Sequence, residues 1–361
     1  MTDVFIIAEA GVNHNGSLDR ALRLIDAASA AGASAVKFQT FKSEAVISLA
    51  APKADYQKVQ TGTSESQLEM VRKLELSEND HRALLVHCEK RGIRFLSTPF
   101  DPGSADFLVR ELHVPQLKIP SGELTNAPFL LHLSNFDLPV MVSSGMATLG
   151  EVEFALGALA FGFLKCAGKP SEIAFRDAYV SDAGQRILRE KVSLLHCTTE
   201  YPTPFDQVNL RAMDTMAQAF GLPVGLSDHT PGYSVAVAAV ARGAVIIEKH
   251  FTLDRELPGP DHKASLEPDE LKAMVRSIRE VELALGTARK LPVPAEIGNR
   301  TIARRSLVAA RPMKQGEIWT AENLTCKRPG NGVPPVRYWD YIGRPASRAY
   351  AQDELIDTGE A

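Results

Sequence analysis

VGLSDHT at residues 224–230 and VIIEKHF at residues 245–251 follow one pattern. Each is a short apolar run that ends in a polar cluster closed by a histidine (His229, His250), with a polar residue two positions earlier (Ser227, Glu248). In a strand, residues two apart point the same way, so each run aims its histidine and its earlier polar group at one place. Six further runs share the pattern, at residues 5–11, 35–40, 94–100, 116–123, 139–146 and 192–201. Between them lie stretches with apolar residues at helical spacing: 17–31, 80–91, 102–111, 148–160, 209–219, 233–242 and 268–285. Strand alternating with helix implies parallel strands joined by right-handed crossovers. Eight such strands with polar ends predict a (β/α)8 barrel whose active site lies at the C-terminal mouth.

The chain of 361 residues is long enough for such a barrel, about 250 residues, and one small domain. Its formal charge of −4 (40 basic against 44 acidic residues) argues against a nucleic-acid partner. Four scattered cysteines without a CxxC pair fit neither a disulfide framework nor a zinc knuckle, and they suit the reducing cytoplasm expected for this chain. The N-terminus has no basic region before its short apolar run, so it does not read as a signal peptide. The longest apolar stretch, at 152–164, is too short for a bilayer and no membrane role is expected.

Two segments interrupt the rhythm. Residues 42–74 read as a long polar loop over the barrel mouth, and residues 163–190 as a charged insertion without a chemical role. Proline, glycine and charge accumulate after residue 285. The expected organisation is therefore a barrel at 1–285, a linker at 286–300 and a compact, mostly irregular β domain at 301–361.

Two imidazoles from neighbouring strands, His229 and His250, are a candidate site for Mn²⁺, Fe²⁺, Zn²⁺ or Co²⁺; the alternative is a pair of hydrogen-bonding rim histidines. Lys37 (VKFQT) and Lys118 (LKIPSGE) lie inside strand patterns, where a lysine is costly unless its charge is met. They predict a carboxylate or phosphate site, or else ion pairs to Glu9 or Glu123. Thr98, Ser121, Ser227 and the glycine-bearing ends SSGM and PSGE could donate to the same anion. Glu9 and Glu123 are placed to bind a polyol or move a proton, while Glu248 is expected to orient a histidine or a lysine. His14 reads as loop structure, and His196 as packed within its strand.

The motifs IIAEAGVNHNGS, AVKFQTFK, ESQLEMVRKLELSE, FLSTPFD, KIPSGE, SSGMAT, LLHCTTEYPTPFDQVNL, GLSDHT, IEKHFTLD and GPDHKASLEPDEL occur in that order. Together they resemble the bacterial sialic acid (nonulosonic acid) synthase family, and KRPGNG resembles that family's C-terminal antifreeze-like (SAF) domain. The resemblance implies condensation of phosphoenolpyruvate with an N-acetylated mannose-type sugar to a nine-carbon 2-keto acid, such as N-acetylneuraminate or N,N'-diacetyllegionaminate. It carries a phosphoenolpyruvate site onto Lys37, Thr98, Lys118, Ser121 and Ser227. Thr199 joins them, although some members have asparagine at that position. Sugar contacts fall on Glu9, Gln39, Glu123, Tyr201, Asp261 and Arg328, and a divalent metal (Mn²⁺, or Mg²⁺ or Co²⁺) on His229 and His250. Glu9, Glu123 and Lys118 are the implied catalytic residues, the carboxylates positioning water or managing protons. The implied assembly is a domain-swapped homodimer. The segment 163–190 looks longer than the family usually has. Rival readings are another phosphoenolpyruvate–aldose synthase, of the pseudaminate or keto-octulosonate-phosphate type, and a non-catalytic saccharide-binding protein.

Overall fold

All eight runs form parallel strands: β1 (Phe5–Gly11), β2 (Ala35–Thr40), β3 (Arg94–Pro99), β4 (Leu117–Ile119), β5 (Val140–Ser143), β6 (Val192–Cys197), β7 (Val224–Asp228) and β8 (Ile246–His250). The computed structural model describes residues 3–62 and 64–357. The strands run β3-β2-β1-β8-β7-β6-β5-β4 in one sheet, and its two end strands, β3 and β4, lie side by side. The result is a nearly closed (β/α)8 barrel, with helices packed on its outer face.

Period-two alternation sorts the strand residues into two cores. Ile6, Ala8, Val36, Phe38, Ile119, Val142, Leu226 and Ile247 point outward into the large core shared with the helices. Ile7, Ala35, Leu96, Met141, Leu195 and Ile246 form a separate cluster inside the barrel, with Phe5 packed against it. This inner layer is an apolar floor. Two residues further along several of these strands stand Glu9, Lys37, Thr98 and Glu248, so the strand period itself lifts the polar groups one layer towards the mouth. Gly225 is needed in the floor. A Cβ there would lie 2.3 Å from the Ile246 carbonyl oxygen and 2.7 Å from Leu195 Cδ2, so any side chain would push β7 away from its neighbours.

The helices follow their apolar stripes. In Leu18–Ala31 the residues Ala21, Leu24, Ile25 and Ala28 are buried, the Ser17 side chain accepts the Arg20 N–H, and Gly32 ends the helix at φ 81°.

Several expectations need correction. The fourth strand is only Leu117–Ile119; Pro120 ends it, and Ser121–Glu123 is a 3-10 turn. Glu123 therefore does not close a strand. The segment 42–74 is not a plain loop, since it holds short helices at Ser43–Val46, Asp55–Thr61 and Gln67–Arg72. The insertion at 163–190 folds as two helices, Glu172–Val180 and Asp182–Lys191, which pack on Leu149–Phe163. That contact explains why Leu149–Phe163 is buried on nearly every side: Gly157 approaches Phe175 so closely that a Cβ would sit 2.7 Å from its carbonyl oxygen. The helix Ala127–Ser134, capped by Asn126, had no counterpart in the sequence reading.

Compact units meet between Gly286 and Thr287. The stretch expected to be linker contains a helix, Pro294–Ala303, whose glutamate at the third position caps its start. The second unit pairs β9 (Ser306–Ala309) antiparallel with β10 (Leu324–Lys327) around a core of Leu307, Trp319, Leu324, Val333, Tyr341 and Tyr350.

Candidate active site

Directly above the apolar floor lies a charged layer. Lys37 Nζ is 2.7 Å from Glu9 Oε2 and 3.6 Å from Glu248 Oε2, and it donates to Thr98 Oγ1 at 2.9 Å. Lys118 Nζ is 3.0 Å from Glu248 Oε1, which also accepts the Ser227 hydroxyl at 2.9 Å. All of these side chains are buried. The expected ion pair to Glu9 is thus present for Lys37. The partner shared by both lysines is Glu248 rather than Glu123, whose carboxylate instead accepts the Asn126 side-chain amide at 2.6 Å.

The two glutamates differ electrostatically. Burial raises the Glu9 carboxyl to about 7, against the pull of Lys37 and with the help of the Glu248 charge. Glu248 is also buried, but Lys118 and Lys37 outweigh burial and hold it well below the usual carboxylate range. Burial alone would lower Lys37, yet Glu248 and Glu9 raise it. Glu9 is accordingly the member of this cluster that changes protonation near neutral pH. Its folded value lies above its unfolded one, so the stability it contributes falls as pH rises from about 4.5 to about 7. Difference infrared spectroscopy of the chelator-treated protein should show one carboxyl titrating near pH 7, absent in Glu9→Gln. A titration unchanged by that substitution would reassign the group.

A second cluster of donors converges beside β5 and β6. Gly145 N–H donates to Ser121 Oγ at 3.0 Å, and that oxygen lies 3.1 Å from Cys197 Sγ. Thr199 Oγ1 is buried with no hydrogen-bond partner among the described residues. A Cβ on Gly145 would stand 2.4 Å from Thr199 Oγ1 and 2.7 Å from Ser121 Oγ, so the absent side chain keeps open a small polar recess. A buried hydroxyl left unpaired costs free energy and is suited to a ligand oxygen.

His229 and His250 meet at the mouth, ring centroids 5.6 Å apart. His229 Nδ1 is 2.6 Å from the Thr198 carbonyl oxygen, which requires the proton on Nδ1 and leaves Nε2 unprotonated, 3.3 Å from the Ser227 hydroxyl. His250 Nδ1 is buried without a hydrogen bond among the described residues, 4.0 Å from Asp261 Oδ2. Burial lowers both imidazoles, His229 to about 4, and raises Asp261 to about 6. Neutral imidazoles beside a carboxylate fit a divalent cation of intermediate softness, which would take the place of the long Ser227 contact at His229 Nε2. The Tyr201 ring lies 4.2 Å from that of His229 and meets His250 edge-on. Among the described residues no three histidine, cysteine or carboxylate groups form a metal cluster, so any ion would depend on water or substrate to complete its shell.

Gln39, Thr199, Tyr201, His250 and Asp261 line the polar side of a cavity of about 300 Å³. Val46, Ile47, Met70 and Val71 of the 42–74 segment, with Gln57 and Gln67, also line it. The structure thus gathers Glu9, Lys37, Gln39, Thr98, Lys118, Ser121, Thr199, Tyr201, Ser227, His229, His250 and Asp261 at one barrel mouth. Arg328 is exposed just after β10 in the second unit.

The NHN turn also has a role that the sequence reading missed. Asn13 donates to the Phe251 carbonyl oxygen at 2.8 Å and to Ser265 Oγ at 2.9 Å, and Ser265 in turn donates to the Asp261 carbonyl oxygen at 2.7 Å. Asn13 therefore fixes the loop that carries Asp261. His14 remains structural, accepting the Gly16 N–H at 3.0 Å, and His196 is tied to the Val208 carbonyl oxygen at 2.7 Å. No helix among the described residues is long and apolar enough to cross a membrane.

Comparison with known proteins agrees with this geometry. The NeuB family model matches residues 24–290 and the SAF domain model residues 304–359. An N,N'-diacetyllegionaminic acid synthase of Campylobacter jejuni is 48% identical over 99% of both chains. One of Legionella pneumophila is 45% identical over 94% of this chain and 89% of its own. A crystal structure of N-acetylneuraminic acid synthetase from Leptospira borgpetersenii, in complex with citrate, superposes with a TM-score of 0.65 at 32% identity, covering 82% of this chain and 90% of that one. With a barrel whose mouth carries these lysines, glutamates and histidines, followed in the chain by a SAF domain, the chain belongs to the NeuB family.

Proposed function

We propose that this chain is a nonulosonate synthase that joins phosphoenolpyruvate to 2,4-diacetamido-2,4,6-trideoxymannose and water, giving N,N'-diacetyllegionaminate and phosphate. The observation that carries the reaction class is the pair of buried lysines, Lys37 and Lys118, sharing Glu248 beneath two neutral histidines. An incoming trianion offers these lysines a stronger partner than Glu248. Lys37, Lys118, Thr98 and Ser227 hold it at the charged layer, with Ser121, Thr199 and the Gly145 N–H at its far end. This arrangement fixes carbon 3 for attack on the sugar aldehyde. His229 and His250 would hold a divalent ion, Mn²⁺ or else Mg²⁺ or Co²⁺, which when bound supplies Lewis-acid polarisation of that aldehyde. Glu9, ionised above about pH 7, accepts the proton of the water that adds at carbon 2. Phosphate then leaves by C–O cleavage.

The choice of sugar rests on the two relatives at 48% and 45% identity, which share one named activity. The apolar side chains of Val46, Ile47, Met70 and Val71 in the cavity lining support it, because a deoxy, twice-acetylated sugar presents methyl groups where a plain N-acetylhexosamine presents hydroxyls. Phosphate release should be at least tenfold faster, as kcat/KM, with the diacetamido sugar than with N-acetylmannosamine. Equal or reversed rates would reassign the substrate, and release only with phosphorylated aldoses would favour a keto-octulosonate-phosphate type of reaction.

The exposed Arg328 has a rigid donor fork suited to an acetamido carbonyl. Its place in the reaction is at a partner subunit's mouth in a domain-swapped homodimer. Mixed subunits of inactive Arg328→Ala and inactive Lys118→Ala should regain activity, because one mouth per heterodimer then receives both native residues. Verified heterodimers without recovery would put Arg328 outside the partner's site.

A further inference from the structure

Outside the barrel, directly behind the two histidines, lies a buried charge pair that the reaction does not use. Asp228 precedes His229 and Lys249 precedes His250, and the two are register partners across β7 and β8. Their side chains point away from the mouth, Lys249 0% and Asp228 1% exposed, with Lys249 Nζ 2.9 Å from Asp228 Oδ2. Lys249 also donates to the Thr230 carbonyl oxygen. The other carboxylate oxygen of Asp228 accepts the Thr230 N–H at 2.9 Å and its hydroxyl at 2.8 Å. The backbone from 228 to 230 is therefore wrapped round one carboxylate, with His229 at its apex, and Lys249 grips both residues flanking that histidine. On the mouth side the preceding register pair is tied as well, through Ser227 and Glu248 at 2.9 Å. The ends of β7 and β8 are thus pinned on both faces immediately before they release their histidines.

We propose that Lys249 and Asp228 are positioning residues that set the separation and aim of the His229 and His250 imidazoles for a divalent ion. This rests on the two-histidine reading above. A buried ion pair is weak evidence for stability, since apolar replacements are often neutral or stabilising. What a rigid cross-strand pair supplies is geometry; groups bonded directly to metal ligands typically govern 10- to 100-fold of metal affinity, and this pair acts on the same ligands through the backbone that carries them.

The test uses Asp228→Asn/Lys249→Met in the full chain. Asparagine retains an oxygen for the Thr230 donors, and methionine fills the lysine volume without a charge, so the fold should survive while the cross-strand tie is lost. Mn²⁺ affinity, followed by the loss of free-ion paramagnetic resonance signal, should weaken roughly 10- to 100-fold. Phosphoenolpyruvate affinity measured by calorimetry without metal should fall by only a few-fold, because Lys37, Thr98 and Lys118 stand on other strands and Ser227 alone shares β7 with Asp228. The single Asp228→Asn variant, which keeps Lys249 and the turn, should fall between and serves if the double variant does not fold. Unchanged Mn²⁺ affinity in a folded variant overturns the proposal, as does an equal loss of phosphoenolpyruvate affinity, which would mark the pair as general scaffold. A wild-type protein that takes up no Mn²⁺, or whose uptake survives His229→Ala, instead removes the two-histidine centre and this inference with it.

Discussion

His229→Ala and His250→Ala should each lower the rate of phosphate release by well over 100-fold, beyond the range typical of residues that merely support a metal ligand. The fold should be kept. Both rings stand at the mouth, above the apolar floor of Ile7, Leu96, Met141, Leu195 and Ile246, and neither belongs to the hydrophobic cores. Thermal midpoints should therefore stay within a few degrees of wild type. Removing His250 takes away a buried Nδ1 that has no hydrogen-bond partner among the described residues, whereas removing His229 costs one bond to the Thr198 carbonyl oxygen. Measurement requires phosphate-release assays with and without Mn²⁺ after exhaustive chelation, alongside a melting curve. Full activity after chelation and dialysis would sink the two-histidine centre, as would an alanine variant that turns over normally.

What could be read from the chain divides along physical lines. The barrel was legible because its strands are buried on both faces, so each appears as a continuous apolar run closed by polar residues, and period two places Ser227 with His229 and Glu248 with His250. The same logic found Lys37 and Lys118, because a charge inside an apolar run needs a partner. Which partner was not legible. Glu248 meets Lys118 across 130 residues of chain, a pairing only the closed barrel creates. The extent of the fourth strand was not legible, because PSGE continues the apolar run's polar close while Pro120 removes a donor and turns the chain. The helices at Glu172–Val180 and Asp182–Lys191 were missed for a different reason. Their exposed faces are rich in charge, and the apolar partners that fix them, Phe154 and Phe161 against Phe175, lie on another helix. Asn13 followed the same pattern, its turn being visible in NHNG but its hold on the Asp261 loop being purely tertiary.

Lys118→Ala should weaken phosphoenolpyruvate binding by about one and a half to three and a half orders of magnitude, as expected when a charge-assisted contact to a buried anion, worth roughly 2–5 kcal/mol, is removed. The variant should also be less stable, because removing one partner of a buried pair leaves the other charge poorly compensated, at a cost of about 3–5 kcal/mol in comparable cases. Glu248 would keep only Lys37, at 3.6 Å, and the Ser227 hydroxyl. Loss of binding could then be blamed on a disturbed fold, and Lys118→Met/Glu248→Gln separates the two. In the double variant the orphaned carboxylate becomes a neutral amide that can still accept from Ser227, and methionine fills the space of the lysine stem. Stability should return towards wild type. Phosphoenolpyruvate affinity should not, because the cation that meets the ligand is still absent. Calorimetric titration and denaturant unfolding of the single and double variants give both quantities. If stability and affinity recover together, Lys118 serves Glu248 and the barrel rather than the substrate; if affinity stays low in a restored fold, the lysine binds the anion directly.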